Sequence, residues 1–528
     1  MDFYLIVLIF LILLVLWIIL HYYAKPIIVI NDRKKRHLWK NKNESDHFIL
    51  FCNICEHLCS ASSFICEYCS IACDRIECTK IADKSLKCKQ EKERRELKST
   101  EVKHHYIKGN LIETVCSSCN LEIEGVHDVG IHGTKCCWCH NSFHNSCAKS
   151  ELVCNFGKLR DFVIPPFSVR AARTRSAPKL HLNEITPIPE WPNWQPLIVI
   201  ANKSSGSNEA DNIATLFKRV LNPIQVVILN NHGPAEALEI VKLSPVKCRI
   251  LVCGGDGSVA WTLNTISEMK LDDKVSIAIC PQGTGNDLSR VLNWGAEIED
   301  NDLQSPFELI EKIRNAEEIF LDRWLIETKY DHRTMITRRL HHDKKTFMYN
   351  YFSVGVDALV TLNFHKARAS ALYVIKSKII NKFLYFIYGT QQVIMQDCDG
   401  LHEYLELYIN DIEQELPDLQ SVICLNINSW GGGVKLVDII KEHDKVFAEG
   451  HSINDEALEI FGISSSFHIA QLQVGLTKPI KLGKARELKV KLKKVLPIQI
   501  DGEPHTEIPC EIKISAHSQA RMLRRRIN

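Results

Sequence analysis

Two glycine-rich turns carry the residue types that suit phosphate binding. The sequence CGGDGSVAW covers 253–261, and PQGTGNDLSR covers 281–290. Because glycine has no Cβ atom, backbone N–H groups at such turns can approach an anion closely, and the start of a following helix adds partial positive charge. Neither turn fits the P-loop pattern, and either one alone is weak evidence. Two of them in one short segment predict a site for a phosphorylated ligand.

Each turn follows an apolar run and precedes a helical pattern, which predicts the elements that position it. Arg249–Cys253 and Val275–Cys280 are predicted to be buried strands, and 258–267 carries apolar residues at helical spacing. Strands alternate with helical patterns over 197–322. This alternation predicts an α/β domain with a parallel, doubly wound sheet.

The segment after the α/β domain has a different pattern. Over 323–516, glycine-punctuated runs of alternating apolar residues predict a mainly antiparallel β-sandwich domain, with a helix near 375–388 and a basic tail at 517–528. The five clearest runs are MYNYFSVGVDA at 348–358, SVICLNINSW at 421–430, ALEIFGI at 457–463, IAQLQVGL at 469–476 and IQIDGEP at 498–504.

The two turns, together with IVIANKSSGS at 198–207, resemble the catalytic domain shared by diacylglycerol kinases, sphingosine and ceramide kinases and NAD kinases. The resemblance implies phosphoryl transfer from ATP with Mg²⁺ as cofactor. Two positions depart from the family pattern. Ser258 stands where threonine is usual and keeps the hydroxyl, whereas Gln282 stands where an apolar residue is usual and leaves nucleotide affinity open.

The same resemblance implies roles for single residues. The nucleotide would be held by Asn202, Gly254, Gly255, Asp256, Gly257, Ser258, Gly283, Thr284, Gly285 and Asn286. Asp256 is placed to bind Mg²⁺ directly or through water. Asp501 in IDGEP matches the general base that would take the proton of the acceptor hydroxyl, and Glu503 is close enough in sequence to share that catalytic site.

Three further acidic residues are implied at the edge of this site. Asp357 in VGVDA would contact the headgroup of the acceptor lipid, and Asp455 with Glu459 resembles an acidic pair near the metal network. For each of these residues a surface turn or a helix cap is the competing interpretation.

Most of the cysteines lie in two Cys/His clusters between Cys52 and Cys154. Such density in a reducing compartment favours zinc over disulfides. The second cluster, over 104–154, resembles the C1 zinc finger of the diacylglycerol and phorbol-ester type. That resemblance implies one ion held by His104, Cys136, Cys139 and Cys154 and another held by Cys116, Cys119, His144 and Cys147. His105 is an alternative to His104, but the His-x-aromatic opening favours His104.

The first cluster, over 37–88, is similar but less regular, because the internal histidine is missing. One predicted zinc site consists of His37, Cys66, Cys69 and Cys88. The other consists of Cys52, Cys55 and Cys78 with either Cys73 or Asp74 as the fourth ligand. The chain could thus hold up to four structural Zn²⁺ ions. Neither cluster has the layout of a DNA-reading finger.

The N-terminal segment 1–30 is predicted to be a membrane anchor. Phe3–Leu20 is an uninterrupted run of 18 apolar residues, long enough to approach or cross a hydrocarbon core of about 30 Å. A cleaved signal peptide is disfavoured, since no basic residue precedes the run and no small-residue cleavage site follows it. Pro26 leaves a re-entrant arrangement open.

A polybasic juxtamembrane segment at 31–42 follows the anchor. Its basic residues are Arg33, Lys34, Lys35, Arg36, Lys40 and Lys42. They predict a cytosolic location for the bulk of the chain and contact with anionic phospholipid headgroups. Which membrane holds the protein stays open.

The net charge of +2 disfavours a general nucleic-acid partner. The whole pattern predicts a multidomain protein with a membrane helix, two zinc fingers, a proline-containing linker at 157–196, the α/β nucleotide-binding domain and the β-sandwich. This order of segments is most similar to the epsilon type of diacylglycerol kinase, which implies phosphorylation of diacylglycerol to phosphatidate in lipid signalling. The alternatives are a kinase for sphingosine, ceramide or monoacylglycerol, and a membrane diacylglycerol sensor without catalysis. The sequence indicates no particular protein partner.

Overall fold

A computed structural model describes most of the chain beyond its N-terminal segment. The described residues are 28, 30, 37–42, 50–92, 101–111, 114–124, 131–149, 151–172, 180–203, 209–229, 233–299, 302, 305–330, 342–369, 398–443 and 450–527. The predicted anchor run at 3–20, the basic residues at 33–36 and the predicted helix at 375–388 lie outside them. Within the described ranges, no helix has both the length and the apolar character to span a membrane.

The secondary structure consists of short strands and helices. The helices are α1 (Ile76–Ser85), α2 (Glu209–Val220), α3 (Ala235–Leu243), α4 (Asp256–Glu268), α5 (Asp287–Val291), α6 (Pro306–Asn315), α7 (Val356–Ala369), α8 (Leu401–Tyr404), α9 (Leu436–His443) and α10 (Ser466–Gln473). The strands are β1 (Trp39–Asn41), β2 (Phe64–Cys66), β3 (Ala72–Cys73), β4 (Tyr106–Lys108), β5 (Thr134–Cys136), β6 (Ser142–Phe143), β7 (Val169–Ala172), β8 (His181–Ile185), β9 (Leu197–Ala201), β10 (Val226–Ile228), β11 (Cys248–Gly254), β12 (Val275–Pro281), β13 (Glu317–Tyr330), β14 (Lys344–Met348), β15 (Tyr351–Gly355), β16 (Leu405–Ile409), β17 (Ile412–Gln414), β18 (Ser421–Leu425), β19 (Leu458–Ile463), β20 (Ile480–Ala485), β21 (Glu487–Leu492), β22 (Leu496–Ile500), β23 (Glu503–Glu507) and β24 (Cys510–Arg524).

The chain divides into two compact units. The first comprises Met1–Trp194, Asn222–Gln225 and Asn230–Pro245, and the second comprises Gln195–Leu221, Val226–Leu229 and Val246–Asn528. In the first unit, each predicted finger forms a three-stranded antiparallel sheet, β1-β2-β3 and β4-β5-β6. Buried cysteines and aromatic side chains of both fingers belong to one hydrophobic cluster.

The predicted linker at 157–196 is largely folded. Strands β7 and β8 pair as an antiparallel ladder within it. Phe162, Val163 and Ile164 are buried, and the Trp194 indole N–H donates to the Val163 carbonyl at 2.8 Å. The segment is therefore more than a connecting chain, because the apolar residues before Pro165 bury their side chains.

The second unit contains a ten-stranded sheet with the path β10-β9-β11-β12-β24-β21-β16-β17, and β13 pairs with both β14 and β24. Strands β9 to β12 pair in parallel, as the α/β pattern predicts. The β24 strand extends this sheet, pairing in parallel with β12 at one position and antiparallel with β13 and β21. The predicted basic tail at 517–528 overlaps β24, which ends at Arg524, and the predicted boundary at 322 falls inside β13.

The second sheet has six antiparallel strands in the order β20-β19-β18-β15-β22-β23. Side chains of both sheets share one hydrophobic core, for example Trp324 and Ile326 with Phe352 and Val354, so the antiparallel part is a sandwich. A second core includes residues of α7, α9 and α10 with those of the six-stranded sheet.

One predicted strand is a helix. The run IAQLQVGL at 469–476 lies mostly in α10, and the Ser465 hydroxyl caps this helix by accepting from the His468 N–H at 3.1 Å. The alternation of apolar and polar residues predicted a strand. The serine before this run and the glycine at 475 are helix-capping signals, and they indicate the observed structure better than the alternation does.

Candidate functional site

The two glycine turns lie in backbone contact with each other. They follow the adjacent parallel strands β11 and β12, so both emerge at the carboxyl edge of the same sheet. A Cβ atom added at Gly283 would lie 2.6 Å from the Gly255 Cα, and one added at Gly255 would lie 2.9 Å from the Gly283 Cα. No larger residue fits at either position without moving backbone, so glycine is required here for close approach.

Polar side chains hold the two turns in shape. The Asn202 amide donates to the Ser258 hydroxyl at 2.8 Å, which links the end of β9 to the first turn of α4. The Asn286 amide accepts from the Gly283 N–H at 2.9 Å and donates to the carbonyls of Gly283 and Ala296. Asn286 therefore fixes the second turn from within, and its contribution to a nucleotide site is to shape the backbone.

Asp256 joins the first turn to the start of the helix after the second. Its carboxylate accepts hydrogen bonds from the backbone N–H groups of Asp287 (2.9 Å) and Leu288 (3.1 Å). Burial, with a further contribution from the negative charge of Asp287, raises the pKa of Asp256 to about 6. Burial also raises the pKa of Asp287. Within the described part of the chain, neither carboxylate forms an ion pair with a basic side chain.

Asp501 lies at the tip of the hairpin that joins β22 to β23. Asp501 and Gly502 both have positive φ (51° and 84°) between the paired residues Ile500 and Glu503, as expected of a two-residue Asp-Gly hairpin. The Asp501 carboxylate accepts from the backbone N–H groups of Tyr349, Asn350 and Tyr351 at 2.6–3.2 Å.

These three donors favour the charged form of Asp501, but burial opposes them more strongly. The balance raises the pKa of Asp501 to about 7. A carboxyl group with this pKa can accept a proton and release it again near neutral pH, which is the behaviour required of a general base.

The turns and the hairpin border one cavity of about 410 Å³. Its lining residues from these segments are Gly255, Asp256, Gly257, Gly283, Thr284, Gly285, Asp287, Asp501, Gly502 and Glu503. The Glu503 carboxylate lies 3.1 Å from where a Cβ atom on Gly257 would be, so the hairpin reaches the first glycine turn. The remaining wall includes Tyr351, Phe364, Ile469 and Val474, among others, and is mostly apolar.

The residues of this cavity fit a magnesium-bound polyphosphate. Gly255 and Gly283 pack closely against each other and have no side chains that could exclude phosphate oxygens. The half-buried carboxylate of Asp256 and the buried carboxylate of Asp287 supply the oxygen ligands that Mg²⁺ prefers. Burial raises the pKa of Asp287 although the positive charge of Arg290 acts in the opposite direction.

The structure does not bring Asp357 to the cavity wall. Its carboxylate is fully buried, accepting from the Ser353 hydroxyl at 2.5 Å, from the Gln499 amide at 2.6 Å and from the Ser421 hydroxyl. These donors occupy both carboxylate oxygens of Asp357. In this structure Asp357 therefore has a structural role and does not make the predicted contact with a lipid headgroup.

Asp455 and Glu459 are also absent from the cavity wall. Lys484 Nζ lies 2.8 Å from Asp455 and 3.7 Å from Glu459, and Lys481 Nζ lies 3.3 Å from Glu459. The pair predicted to belong to the metal network is thus neutralised by lysines.

Sequence reasoning missed Asp287 as a site residue. Its carboxylate accepts from the Ser429 hydroxyl at 2.5 Å and from the Gly432 N–H at 3.1 Å, and it lines the cavity. The Asn-Asp pair that ends PQGTGND was a usable signal for Asp287. Nothing local in the sequence indicated that Ser429 and Gly432 would reach it from the segment between β18 and α9.

The fingers bring together the ligand sets that the C1 resemblance implies. Three sets of four have ligand atoms within 4.8 Å of one another: His37, Cys66, Cys69 and Cys88; His104, Cys136, Cys139 and Cys154; and Cys116, Cys119, His144 and Cys147. The Cys66–Cys88 and Cys136–Cys154 sulfur separations of 3.7 and 3.9 Å match the edge of about 3.8 Å of a tetrahedron with Zn–S bonds of about 2.3 Å.

The fourth cluster is incomplete. Cys52, Cys55 and Cys78 come together, but neither Cys73 nor Asp74 joins the set. Asp74 instead accepts from the Ser60 N–H at 3.0 Å and lies 3.6 Å from Arg75. The prediction of Asp74 as a ligand is wrong in this structure, because its carboxylate is committed elsewhere. His105 likewise stays outside the metal set, with its ring 3.0 Å from the Lys87 carbonyl.

Comparison with known families identifies both parts of the second unit. Residues 196–318 match the diacylglycerol kinase catalytic domain, and residues 347–504 match the diacylglycerol kinase accessory domain. The chain therefore contains the catalytic and accessory domains of diacylglycerol kinases.

Several curated proteins are similar to this chain. The Caenorhabditis elegans protein named "Probable diacylglycerol kinase 3" is 30% identical over 459 residues, which are 80% of this chain and 56% of that protein. Diacylglycerol kinase 1 of Arabidopsis thaliana is 34% identical, covering 63% of this chain and 45% of its own length. Diacylglycerol kinase theta of Mus musculus is 35% identical, covering 63% and 36%. The chain thus spans about half or less of the length of these relatives.

Two solved structures align with part of this chain at low similarity. A diacylglycerol kinase from Bacillus anthracis str. Sterne aligns with 62% of this chain and 96% of its own at 13% identity and a TM-score of 0.35. Yeast NADH kinase, solved with NADH, aligns with 64% of this chain and 88% of its own at 12% identity and a TM-score of 0.32.

Proposed function

We propose that this protein is an ATP-dependent kinase that phosphorylates the free hydroxyl of 1,2-diacylglycerol to give phosphatidate. One observation carries the proposal: Asp501 and Glu503 line the same cavity as the two glycine turns that touch at Gly255 and Gly283. The site therefore has a proton acceptor beside a phosphate cradle. The matches to both diacylglycerol kinase domains support the choice of substrate.

Each group at the cavity has a distinct task in this proposal. Backbone N–H groups of the two turns hold the phosphates, while Asp256 and Asp287 hold the cation. When bound, Mg²⁺-ATP supplies the phosphoryl group and neutralises the charge that develops on it. The Asp501 carboxylate accepts the proton of the lipid hydroxyl, and the three backbone N–H groups around it keep its oxygens in place.

The fingers and the N-terminal segment fit a membrane location for this chemistry. We propose that the fingers are zinc-stabilised modules that position the chain at lipid, that residues 3–20 anchor it with the catalytic part in the cytosol, and that the basic cluster at 33–42 contacts anionic headgroups. The assignment to the epsilon type rests on the order of these segments. Protease protection of an N-terminal tag in sealed vesicles tests the anchor, and full accessibility of the tag would contradict a spanning arrangement.

A lipid panel tests the substrate. The purified full chain is incubated with labelled ATP and Mg²⁺ and with diacylglycerol, monoacylglycerol, sphingosine or ceramide. We expect labelled phosphatidate from diacylglycerol and little product from the others. A stronger signal from sphingosine or ceramide would identify a kinase for another lipid. Diacylglycerol binding without any product, in a chain that retains its zinc, would identify a sensor.

A further inference from the structure

Helix α10 and the turn after it expose large apolar side chains. Phe467 is 58% exposed, Val474 64% and Leu476 76%. Phe467 and Val474 are seven residues apart, so the helical repeat places them on the same face of the helix. Single exposed apolar residues are common, but three of them along one short helix and the turn after it form a patch that needs a partner.

In the turn after α10, the Leu476 side chain lacks the apolar contact that is common in turns of this type. Gly475 has φ +72°, its N–H donates to the Leu472 carbonyl at 3.2 Å, and the Leu476 N–H donates to the Gln471 carbonyl at 2.9 Å. These bonds define a Schellman motif, in which the residue at the Leu476 position commonly packs against an apolar residue at the Gln471 position. Here that position is polar, and Leu476 remains three-quarters exposed.

The patch is continuous with the catalytic cavity. Val474 is exposed and also lines the cavity, together with Ile469 and Ala470 of the same helix. Asp501 and the glycine turns line the same cavity. A molecule that touches the patch therefore meets the mouth of the site itself.

The cavity is too small to hold a whole diacylglycerol molecule. Its volume of about 410 Å³ falls in the lower part of the range of about 300–1,000 Å³ seen for pockets that hold drug-sized ligands. It must hold the reacting phosphoryl group and the glycerol part of the lipid. Two full acyl chains do not fit as well, so most of their length must remain in an apolar medium next to the mouth.

Local charge favours a lipid surface as that medium. Residues 464–486 contain no Asp or Glu. Lys481 and Lys484 pair with Glu459 and Asp455, so Lys478 and Arg486 are the basic residues of this segment that lie outside those pairs. Lys478 is exposed and follows Leu476 by two residues. An apolar patch with basic residues beside it is the pattern of a surface that enters the interface of a membrane containing anionic lipid.

We propose that Phe467, Val474 and Leu476 form a membrane-entering rim at the mouth of the catalytic cavity. The rim places the cavity against the bilayer, so the acyl chains of the substrate stay in the membrane while its hydroxyl group reaches Asp501. This inference rests on the proposed function for its substrate, but the contact with the bilayer can be measured without catalysis.

Hydrogen–deuterium exchange of the full chain tests the contact directly. The chain is compared on phosphatidylcholine vesicles, on vesicles that also contain phosphatidylserine, and in detergent-free nanodiscs of the same lipids. We expect amides of 474–478 to gain protection on each lipid surface, while those of 410–414 in the hairpin between β16 and β17 stay unchanged. Absence of protection at 474–478 on every lipid surface would overturn the proposal. It would then favour a protein partner for the patch.

A kinetic comparison tests the function of the rim. The variant Phe467→Ser/Leu476→Ser changes side chains outside the cavity lining, and Ile412→Ser/Val495→Ser removes apolar side chains exposed to a similar degree (67% and 56%) elsewhere in the second unit. We expect the rim variant to lose roughly tenfold in kcat/KM for vesicle-embedded diacylglycerol. It should keep wild-type turnover of a short-chain diacylglycerol below its micelle concentration.

The two assays separate failure of the rim from failure of the proposed reaction. Equal losses on both substrates, no loss on vesicles, or the same loss in the Ile412→Ser/Val495→Ser control would overturn the rim. If no variant or wild-type chain phosphorylates either diacylglycerol but 474–478 is protected by vesicles, the membrane contact stands and the proposed kinase reaction fails.

Discussion

The acidic residues of the second unit fall into two groups with opposite surroundings. Asp256, Asp287 and Asp501 lie at the cavity, where backbone N–H groups and one serine hydroxyl surround them. Within the described ranges none of them forms an ion pair, and the charge of Arg290 only partly offsets the effect of burial on Asp287. Away from the cavity, Asp455 and Glu459 face Lys481 and Lys484.

This difference indicates which carboxylates are available for chemistry. A buried acid without a cation is costly to ionise, so a bound Mg²⁺ or a reacting proton stabilises it. An acid already paired with lysine gains much less from either. Acidic residues of both groups lie in the same unit. The side chains that surround each acid in space, and not its neighbours in sequence, therefore distinguish an acid that is available for chemistry from one that is paired with lysine.

Asp256→Asn should have the largest effect of any substitution at these acids. The change removes a ligand charge for Mg²⁺ beside the phosphates, and we expect kcat to fall by on the order of 10³ or more. The measurement is turnover of labelled ATP and diacylglycerol over a range of Mg²⁺ concentrations. Asp455→Asn, which breaks only a lysine pair, should lose less than about tenfold. Equal losses in both variants would remove the distinction between the two groups.

Asp501→Asn should abolish proton acceptance while keeping an oxygen for the surrounding N–H groups. We expect kcat to fall by about 10²–10⁴ with little change in the KM for ATP. Asp357→Asn is the matched control, because that acid is equally buried but lies off the cavity wall. It should lower the unfolding temperature and leave kcat of the folded enzyme close to wild type. Normal turnover by Asp501→Asn would exclude Asp501 as the base.

The raised pKa of Asp501 predicts opposite pH trends for activity and stability. Because this pKa is raised from 3.8 to about 7, kcat/KM should rise with pH up to about 7 as the base ionises. Between pH 4 and 7 the folded chain binds more protons at Asp501 than the unfolded chain does. The contribution of Asp501 to the free energy of unfolding is therefore present at low pH and is lost as pH rises through that window. Asp501→Asn should flatten both profiles. A pH-independent kcat/KM between 5 and 8 would contradict the assignment.

Two buried glutamines, Gln282 and Gln499, extend the comparison from acids to neutral side chains. Substitutions at them should have the smallest effects, and these effects should be on stability. The Gln282 amide is buried near the second glycine turn, and neither of its polar atoms is hydrogen-bonded to a residue that the structure describes, whereas the Gln499 amide donates to Asp357. Gln282→Leu should raise the free energy of unfolding by roughly 1–3 kcal/mol, and Gln499→Leu should lower it by a similar amount. Thermal unfolding of both variants measures the difference. Destabilisation by Gln282→Leu would contradict the absence of hydrogen bonds at its amide.

Features that depend on residues close in sequence were predictable. Strands β11 and β12, helix α4 and the glycine turns follow from short patterns of apolar residues and glycine. The three complete zinc-ligand sets follow from Cys-x2-Cys spacing together with the pairing that the C1 resemblance implies. Local conformational preference and side-chain chemistry are enough to specify such features.

Other features were decided only by the tertiary structure. The contact between Gly255 and Gly283, the entry of β24 into the catalytic sheet, the approach of Ser429 to Asp287 and the lysine pairing of Asp455 all join segments that are distant along the chain. Strand register and core packing determine these distances, and a carboxylate's role depends on what lies within a few ångströms of it. Local sequence patterns therefore indicated most of the residues that could do the chemistry, while long-range packing added Asp287 and decided which residues face the cavity.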